Sequence, residues 1–198
     1  MHIGIIPRIR SVKNNNLEYS VDKKLLDILN KIYKKPKITI IHDYKSKNIN
    51  LLVISGGNDI KIFSDKKRDT IRNKISIFHL KKSLNKKIPI IGICYGAQLI
   101  AKIFKSKLKK YPNHVGDHLI KLKNNKFNKK LKRVIKVNSY HNYSITKLGT
   151  NLTSLATAMD NTIEAFKHKK FKVLGIMWHP ERYKKIKKID KKYLLKIK

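Results

Sequence analysis

Apolar positions in this chain follow two rhythms, and the order in which they alternate predicts a fold. His2 to Ile6 is a short apolar run closed by Pro7, the pattern of a buried strand. Within Val21 to Tyr33 the residues Leu25, Leu26, Ile28, Leu29 and Ile32 recur at helical spacing, and Asp22 is placed to cap the start or sit in its first turn. Lys37 to Ile41 and Asn50 to Ile54 again read as strands, the second stopping at Ser55, Gly56 and Gly57. Asp65 to Leu84 reads as a helix and Ile88 to Ile93 as a continuous apolar strand. Ala97 to Phe104 then returns to the helical rhythm. Strands alternating with helices in this way predict an α/β fold with a mostly parallel central sheet flanked by helices.

The second half changes character. Arg133 to Val137, Ser154 to Ala158, Thr162 to Phe166 and Val173 to Trp178 are short extended segments, which predict a late antiparallel portion of a mixed sheet. From Arg182 to Lys198 the chain is basic, and Ile186, Ile189, Leu194 and Leu195 suggest a last helix against the sheet. No internal repeat or linker interrupts the pattern. Residues 1–198 are therefore read as a single domain, long enough for a sizeable core.

Charge changes this picture less than its size suggests. The chain holds 48 Lys and Arg against 12 Asp and Glu, a formal net charge of +36. Clustered basic residues mark nucleic-acid binders because they neutralise phosphates and release counterions. Here only Arg8, Arg10, Arg68, Arg72, Arg133 and Arg182 are arginine, the residue suited to bidentate recognition of phosphate or guanine. The remaining excess is lysine, spread along the chain among Ile and Asn residues, as codon bias in an A- and T-rich genome would produce. No specific nucleic-acid partner is expected, although such a charge gathers anions. No apolar stretch reaches the roughly 18 residues of a membrane span, and MHIGIIPRIR lacks the order of a signal peptide. A soluble, cytoplasmic protein is expected. One cysteine, Cys94, permits neither an internal disulfide nor a Cys-rich zinc site.

That cysteine lies in the most informative stretch, IPIIGICYGAQLIAKIF, from Ile88 to Phe104. It reads strand, sharp turn, helix. Gly92, Cys94 and Gly96 form G-x-C-x-G, a nucleophile elbow in which small neighbours let the backbone pass close by. The N-terminus of the following helix favours a thiolate, and the N–H of Tyr95 is placed to stabilise an oxyanion. A nucleophilic cysteine needs a base, and the base needs a group that fixes its tautomer. VLGIMWHPER, from Val173 to Arg182, supplies both, since His179 and Glu181 at i and i+2 share one face of an extended segment that Pro180 ends.

Together these residues resemble the class I glutamine amidotransferase-like superfamily, specifically its γ-glutamyl hydrolase (peptidase C26) branch, over most of the chain. In that family the elbow reads G-x-C-x-G-x-Q, matched by Gly92, Cys94, Gly96 and Gln98, and an H-P-E near the C-terminus is matched by His179, Pro180 and Glu181. The resemblance implies a flavodoxin-like fold and a Cys94, His179, Glu181 triad. LLVISGGNDI, from Leu51 to Ile60, is similar to the family's glycine loop, which implies that Gly57 or its neighbour Gly56 supplies the other half of the oxyanion hole beside Tyr95. VNSYHNYSI, from Val137 to Ile145, resembles an N-S-x-H segment beside the bound glutamyl group, which implies that Ser139, Tyr140 and His141 meet the substrate together with Gln98.

HVGDHLI, from His114 to Ile120, also resembles the branch, without an assigned role. Its paired histidines invite a metal reading, but Asp117 and His118 follow no zinc spacing, so neither metal nor cofactor is expected. Asn142 stands where relatives acting on γ-glutamyl polyamines often carry histidine, which argues against that substrate class. The set SGGND, GICYGAQ, NSYHN, IEAF and GIMWHPER resembles small stand-alone hydrolases of bacterial surface-sugar pathways. That resemblance implies cleavage of a small-molecule γ-glutamyl amide through a thioester, releasing glutamate. The substrate it points to is a γ-glutamyl nucleotide phosphoramidate of capsule synthesis, with Arg10 or Arg68 near its phosphate. The alternative is a glutaminase subunit that passes ammonia to a separate synthetase, which needs the same triad.

Overall fold

The first apolar run forms β1 (His2–Ile6), and a hairpin of β2 (Arg8–Ser11) and β3 (Leu17–Ser20) follows it. These and all elements below belong to a computed structural model that describes residues 1–45, 48–111 and 114–197. Helix α1 (Lys23–Tyr33) leads to β4 (Lys37–Ile40) and β5 (Leu51–Ile54), and α2 (Lys67–Asn85) leads to β6 (Ile90–Ile93) and α3 (Tyr95–Ile103). The second half runs through β7 (Lys107–Lys110), β8 (Val115–Leu122), β9 (Val134–Tyr140), β10 (Tyr143–Lys147), β11 (Leu152–Ala158), β12 (Ile163–His168) and β13 (Val173–Ile176). The chain closes with α4 (Lys188–Lys196), so the expected last helix starts later than Arg182, and Lys198 lies outside the described residues.

One sheet takes the order β4-β1-β5-β6-β13-β12-β11-β8-β9, with β10 joined to β12 and β7. Its parallel half runs from β4 to β13, and β12, β11, β8 and β9 continue it antiparallel. The central parallel strands β5, β6 and β13 are buried at every position because both faces are covered. Ile3, Ile5, Leu51, Val53, Ile91 and Ile93 pack on the side of α1 and α4, while Ile6, Leu52, Ile54 and Ile90 pack on the side of α2 and α3. Asp22 caps α1 by accepting the Lys24 N–H at 2.9 Å. Helix α4 is held by Trp178, whose Nε1 donates to the buried Asp190 at 2.7 Å, and by the Tyr33 hydroxyl, which donates to the Leu194 carbonyl at 2.5 Å.

Several elements escape the hydrophobic pattern. In β2 and β3 only Ile9 is buried, and β7 is the sequence KLKK, so neither shows a strand rhythm. The HVGDHLI segment forms most of β8 although its first residues are exposed, and β9 continues past Val137 through Asn138, Ser139 and Tyr140. Backbone pairing between β8 and β9 makes these polar residues extended, a cause that no local apolar pattern records.

A close backbone approach brings α3 onto β5 and β6. A Cβ on Gly92 would lie 2.5 Å from the Gly96 backbone, and a Cβ on Gly96 would fall against the Ile54 carbonyl oxygen. Since neither neighbour is the free end of a side chain, Gly96→Ala is expected to lower the unfolding free energy by about 1–3 kcal/mol in urea denaturation. An unchanged midpoint would show that the strand and helix can separate at no cost.

Candidate active site

Strands β5, β6 and β13 lie side by side, and their carboxyl ends deliver Ser55 to Gly57, Cys94 and His179 to one edge of the sheet. This is the edge at which open parallel sheets place ligands. Cys94 follows β6 directly and caps α3 with φ 47° and ψ −100°, a conformation that side chains rarely adopt. It is fixed there from both sides, because its N–H donates to the Ile176 carbonyl at 2.8 Å and its carbonyl accepts the Gln98 N–H at 2.9 Å. The side chain is nearly buried.

His179 is pinned by its backbone. Its N–H donates to Asn138 Oδ1 at 2.8 Å, and its carbonyl accepts from Asn138 Nδ2 at 2.9 Å. Its Nδ1 lies 2.6 Å from Glu181 Oε1, on the Pro180–Arg182 turn that ends the strand. The opposite side of the ring meets Gly56, where any Cβ would strike Cε1. Burial lowers the basicity of this imidazole. The charge and hydrogen bond of Cys94, followed by those of Glu181, outweigh burial and push it up to about 9. An imidazole of raised basicity beside a cysteine is chemically able to take up a thiol's proton.

The glycine loop has its own support, the buried guanidinium of Arg72. It donates to the carbonyls of Ser55 at 2.6 Å, Gly56 at 3.3 Å and Gly57, and lies 3.8 Å over the Tyr95 ring. In a trans peptide unit the N–H points opposite to the carbonyl. Drawing these carbonyls to Arg72 therefore turns the N–H groups of Gly56, Gly57 and Asn58 away from it. Gly57 and Asn58 line the cleft that also contains Cys94 and His179, about 220 Å³ in volume.

The remaining expected residues divide. Gln98, Tyr140 and His141 line this cleft, with Gln98 Nε2 also donating to the Tyr143 carbonyl at 2.8 Å. Ser139 does not line it, since its buried hydroxyl donates to the His114 carbonyl. Arg68 borders the cleft, as does Arg182, whose guanidinium lies 4.0 Å over the Tyr140 ring. Arg10 lies in an adjoining groove with Arg8, Gly57, Asn58 and Arg68. Sequence reasoning missed Arg72 and Asn138, which support the site from outside the cleft. Arg72 carries no local signal, whereas Asn138 belongs to the N-S-x-H segment.

Comparison with known proteins gives the family and the fold. The glutamine amidotransferase class-I family profile matches residues 9–194. A γ-glutamyl-CDP-amidate hydrolase of Campylobacter jejuni is 42% identical over 143 residues, which span 70% of this chain and 66% of that protein. A glutamine-hydrolysing GMP synthase subunit of Methanosphaera stadtmanae is 31% identical, covering 80% of this chain and 78% of that one. The crystal structure of a glutamine amidotransferase from Thermotoga maritima superposes with a TM-score of 0.68 at 19% identity, over 91% of this chain and 76% of that chain, and shares the fold. No helix among the described residues is long and apolar enough to cross a membrane.

The elevated His179 imidazole gives a direct test. In ¹⁵N-imidazole NMR its titration midpoint is expected near pH 9. Cys94→Ala removes the leading cause of elevation and leaves burial in place, so the midpoint is expected to fall in that variant. An unmoved midpoint would mean that the two side chains do not interact.

Proposed function

The chain belongs to the class I glutamine amidotransferase family, and from that premise we propose that it hydrolyses a γ-glutamyl amide through a covalent cysteine intermediate. One observation carries the reading: Cys94, held in a strained turn at the start of α3, pairs with His179, whose Nδ1 lies 2.6 Å from Glu181. In the reaction the Cys94 thiolate attacks the γ-carbonyl carbon, and the π electrons move to oxygen. The N–H groups of Tyr95 and Gly57 stabilise that oxyanion. Its collapse breaks the C–N bond while the His179 imidazolium gives its proton to the leaving nitrogen. Neutral His179 then takes a proton from water, whose oxygen attacks the thioester. The thiolate leaves, and glutamate is released. Glu181 keeps the imidazole in the required tautomer throughout.

The substrate we assign is a γ-glutamyl nucleotide phosphoramidate, as in surface-sugar or capsule synthesis. Support comes from the name of the Campylobacter jejuni relative and from the guanidinium groups of Arg68 and Arg182 beside Cys94. Arginine suits a phosphate-bearing leaving group because its planar fork binds two oxygens at once. Gln98, Tyr140 and His141 are assigned to the glutamyl half. A second reading, a glutaminase subunit feeding ammonia to a synthetase, is favoured by the similarity to the Methanosphaera stadtmanae GMP synthase subunit.

Cys94→Ala is expected to lower turnover by ~10⁴-fold or more, measured as glutamate release. Wild-type turnover in that variant would end the proposal. Comparing kcat/KM for a γ-glutamyl nucleotide phosphoramidate, γ-glutamyl amines and glutamine separates the two readings. If glutamine is best, or activity needs an added synthetase, the second reading replaces the first. Arg68→Gln should lower kcat/KM for the phosphoramidate by about 10- to 100-fold and change glutamine hydrolysis little, since a hydrogen bond to a charged group is worth about 1.5–3 kcal/mol.

A further inference from the structure

Beside His141 lies Glu164, which with His114 and His118 forms a cluster that shares only His141 with the catalytic cleft. Glu164 on β12 has no exposure, and among the described residues no group hydrogen-bonds to either of its carboxylate oxygens. Three imidazoles face it instead. His114 Nδ1 and His141 Nε2 each lie 3.5 Å from Oε1, and His118 Nε2 lies 3.5 Å from Oε2. These separations exceed the 2.7–3.2 Å of ordinary N–H···O bonds. A buried carboxylate faced by imidazoles but given no hydrogen bond is costly, so the spacing calls for a physical cause.

We propose that His114, His118 and Glu164 bind a divalent transition-metal ion of the zinc class. Bonds of roughly 2.0–2.2 Å to imidazole nitrogen and carboxylate oxygen put neighbouring ligand atoms in a tetrahedron roughly 3.3–3.5 Å apart. His114 Nδ1 lies 3.5 Å from Oε1 and His118 Nε2 lies 3.5 Å from Oε2 of the same carboxylate, and one ligand atom from each of the three residues falls within 4.8 Å of the others. Closing a gap of 4.8 Å to that tetrahedral spacing takes a contraction of about 1.3–1.5 Å.

The orientation of His114 supports the same conclusion. Its Nε2 lies 2.7 Å from Asp160 Oδ2, and Asp160 Oδ1 accepts from the Thr162 N–H at 3.0 Å and the Thr162 hydroxyl at 2.8 Å. A metal-ligating histidine characteristically donates its other N–H to a carboxylate held in this way. With the proton on Nε2, neutral His114 points the Nδ1 lone pair at Glu164, an arrangement that a cation stabilises. The ion would tie β8 to β12 across β11 and brace the turn that carries His141 into the catalytic cleft. His118 is partly exposed as a side chain, while its Nε2 is buried against Glu164. The residue types match and H-x₃-H spacing occurs in zinc sites, but Glu164 lies 46 residues beyond His118 and only the folded sheet brings it alongside. For that reason the sequence alone predicts no metal.

The test uses the full chain, stripped with chelator, dialysed and titrated with Zn²⁺ by calorimetry, with Co²⁺ substitution as an optical probe. One equivalent per chain, a raised Tm and the visible absorption of tetrahedral Co²⁺ are expected. His118→Ala should weaken binding by at least ~100-fold and Asp160→Asn by about 10- to 100-fold. Cys94→Ala should bind as wild type does. Because Glu164→Gln buries an amide that can itself unfold the chain, the partly exposed His118 supplies the decisive variant. Zn²⁺ uptake that survives His118→Ala, is lost in Cys94→Ala or fails in the wild type would overturn the proposal.

Discussion

The structure depends on how closely a helix can approach a strand. Gly92 and Gly96 let α3 start directly against β5 and β6, and this contact holds Cys94 at φ 47° and ψ −100°. Such a conformation persists only where its surroundings over-determine it. Here the parallel pairing of β6 with β5 and β13, the bond from Cys94 N–H to Ile176 and the first turn of α3 do so together. The same strand neighbours also carry the glycine loop and His179. The contact that strains Cys94 therefore sets it beside His179.

Two buried polar side chains then fix what the sheet leaves free. Arg72 collects the carbonyls of Ser55, Gly56 and Gly57, and Asn138 holds both backbone groups of His179. Each acts on backbone, so each sets geometry without occupying the cleft. A preorganised polar frame of this kind is what an oxyanion site requires, because its donors must already point correctly when charge develops.

The distribution of charge follows the same economy. Against 48 basic residues the chain has 12 acidic ones, and Asp69, Glu164, Glu181 and Asp190 are buried. Glu181 orients His179, Asp190 accepts from Trp178, Asp69 accepts from Asn58, and Glu164 faces three histidines. No lysine is buried among the described residues. The scarce carboxylates thus serve as internal fixtures, while the lysines form a surface that attracts anions toward a cleft already edged by arginine.

The parallel half of the fold was legible in the sequence because strands buried on both faces must be continuously apolar, as at Ile3 to Ile6 and Ile90 to Ile93. The elbow and the H-P-E segment were legible for a similar reason: their geometry is local, set by glycines two residues from Cys94 and by an i, i+2 relation between His179 and Glu181. What the sequence did not disclose is set by contacts between distant segments. Strand β8 is extended through its pairing with β9, Arg72 reaches the glycine loop from α2, and Ser139 turns to His114 instead of the cleft. Likewise His114 and His118 meet Glu164 only because the antiparallel sheet folds β12 back toward β8. Local pattern thus determined the parallel framework and the residues proposed for the chemistry, whereas tertiary pairing decided which polar groups hold that machinery in place.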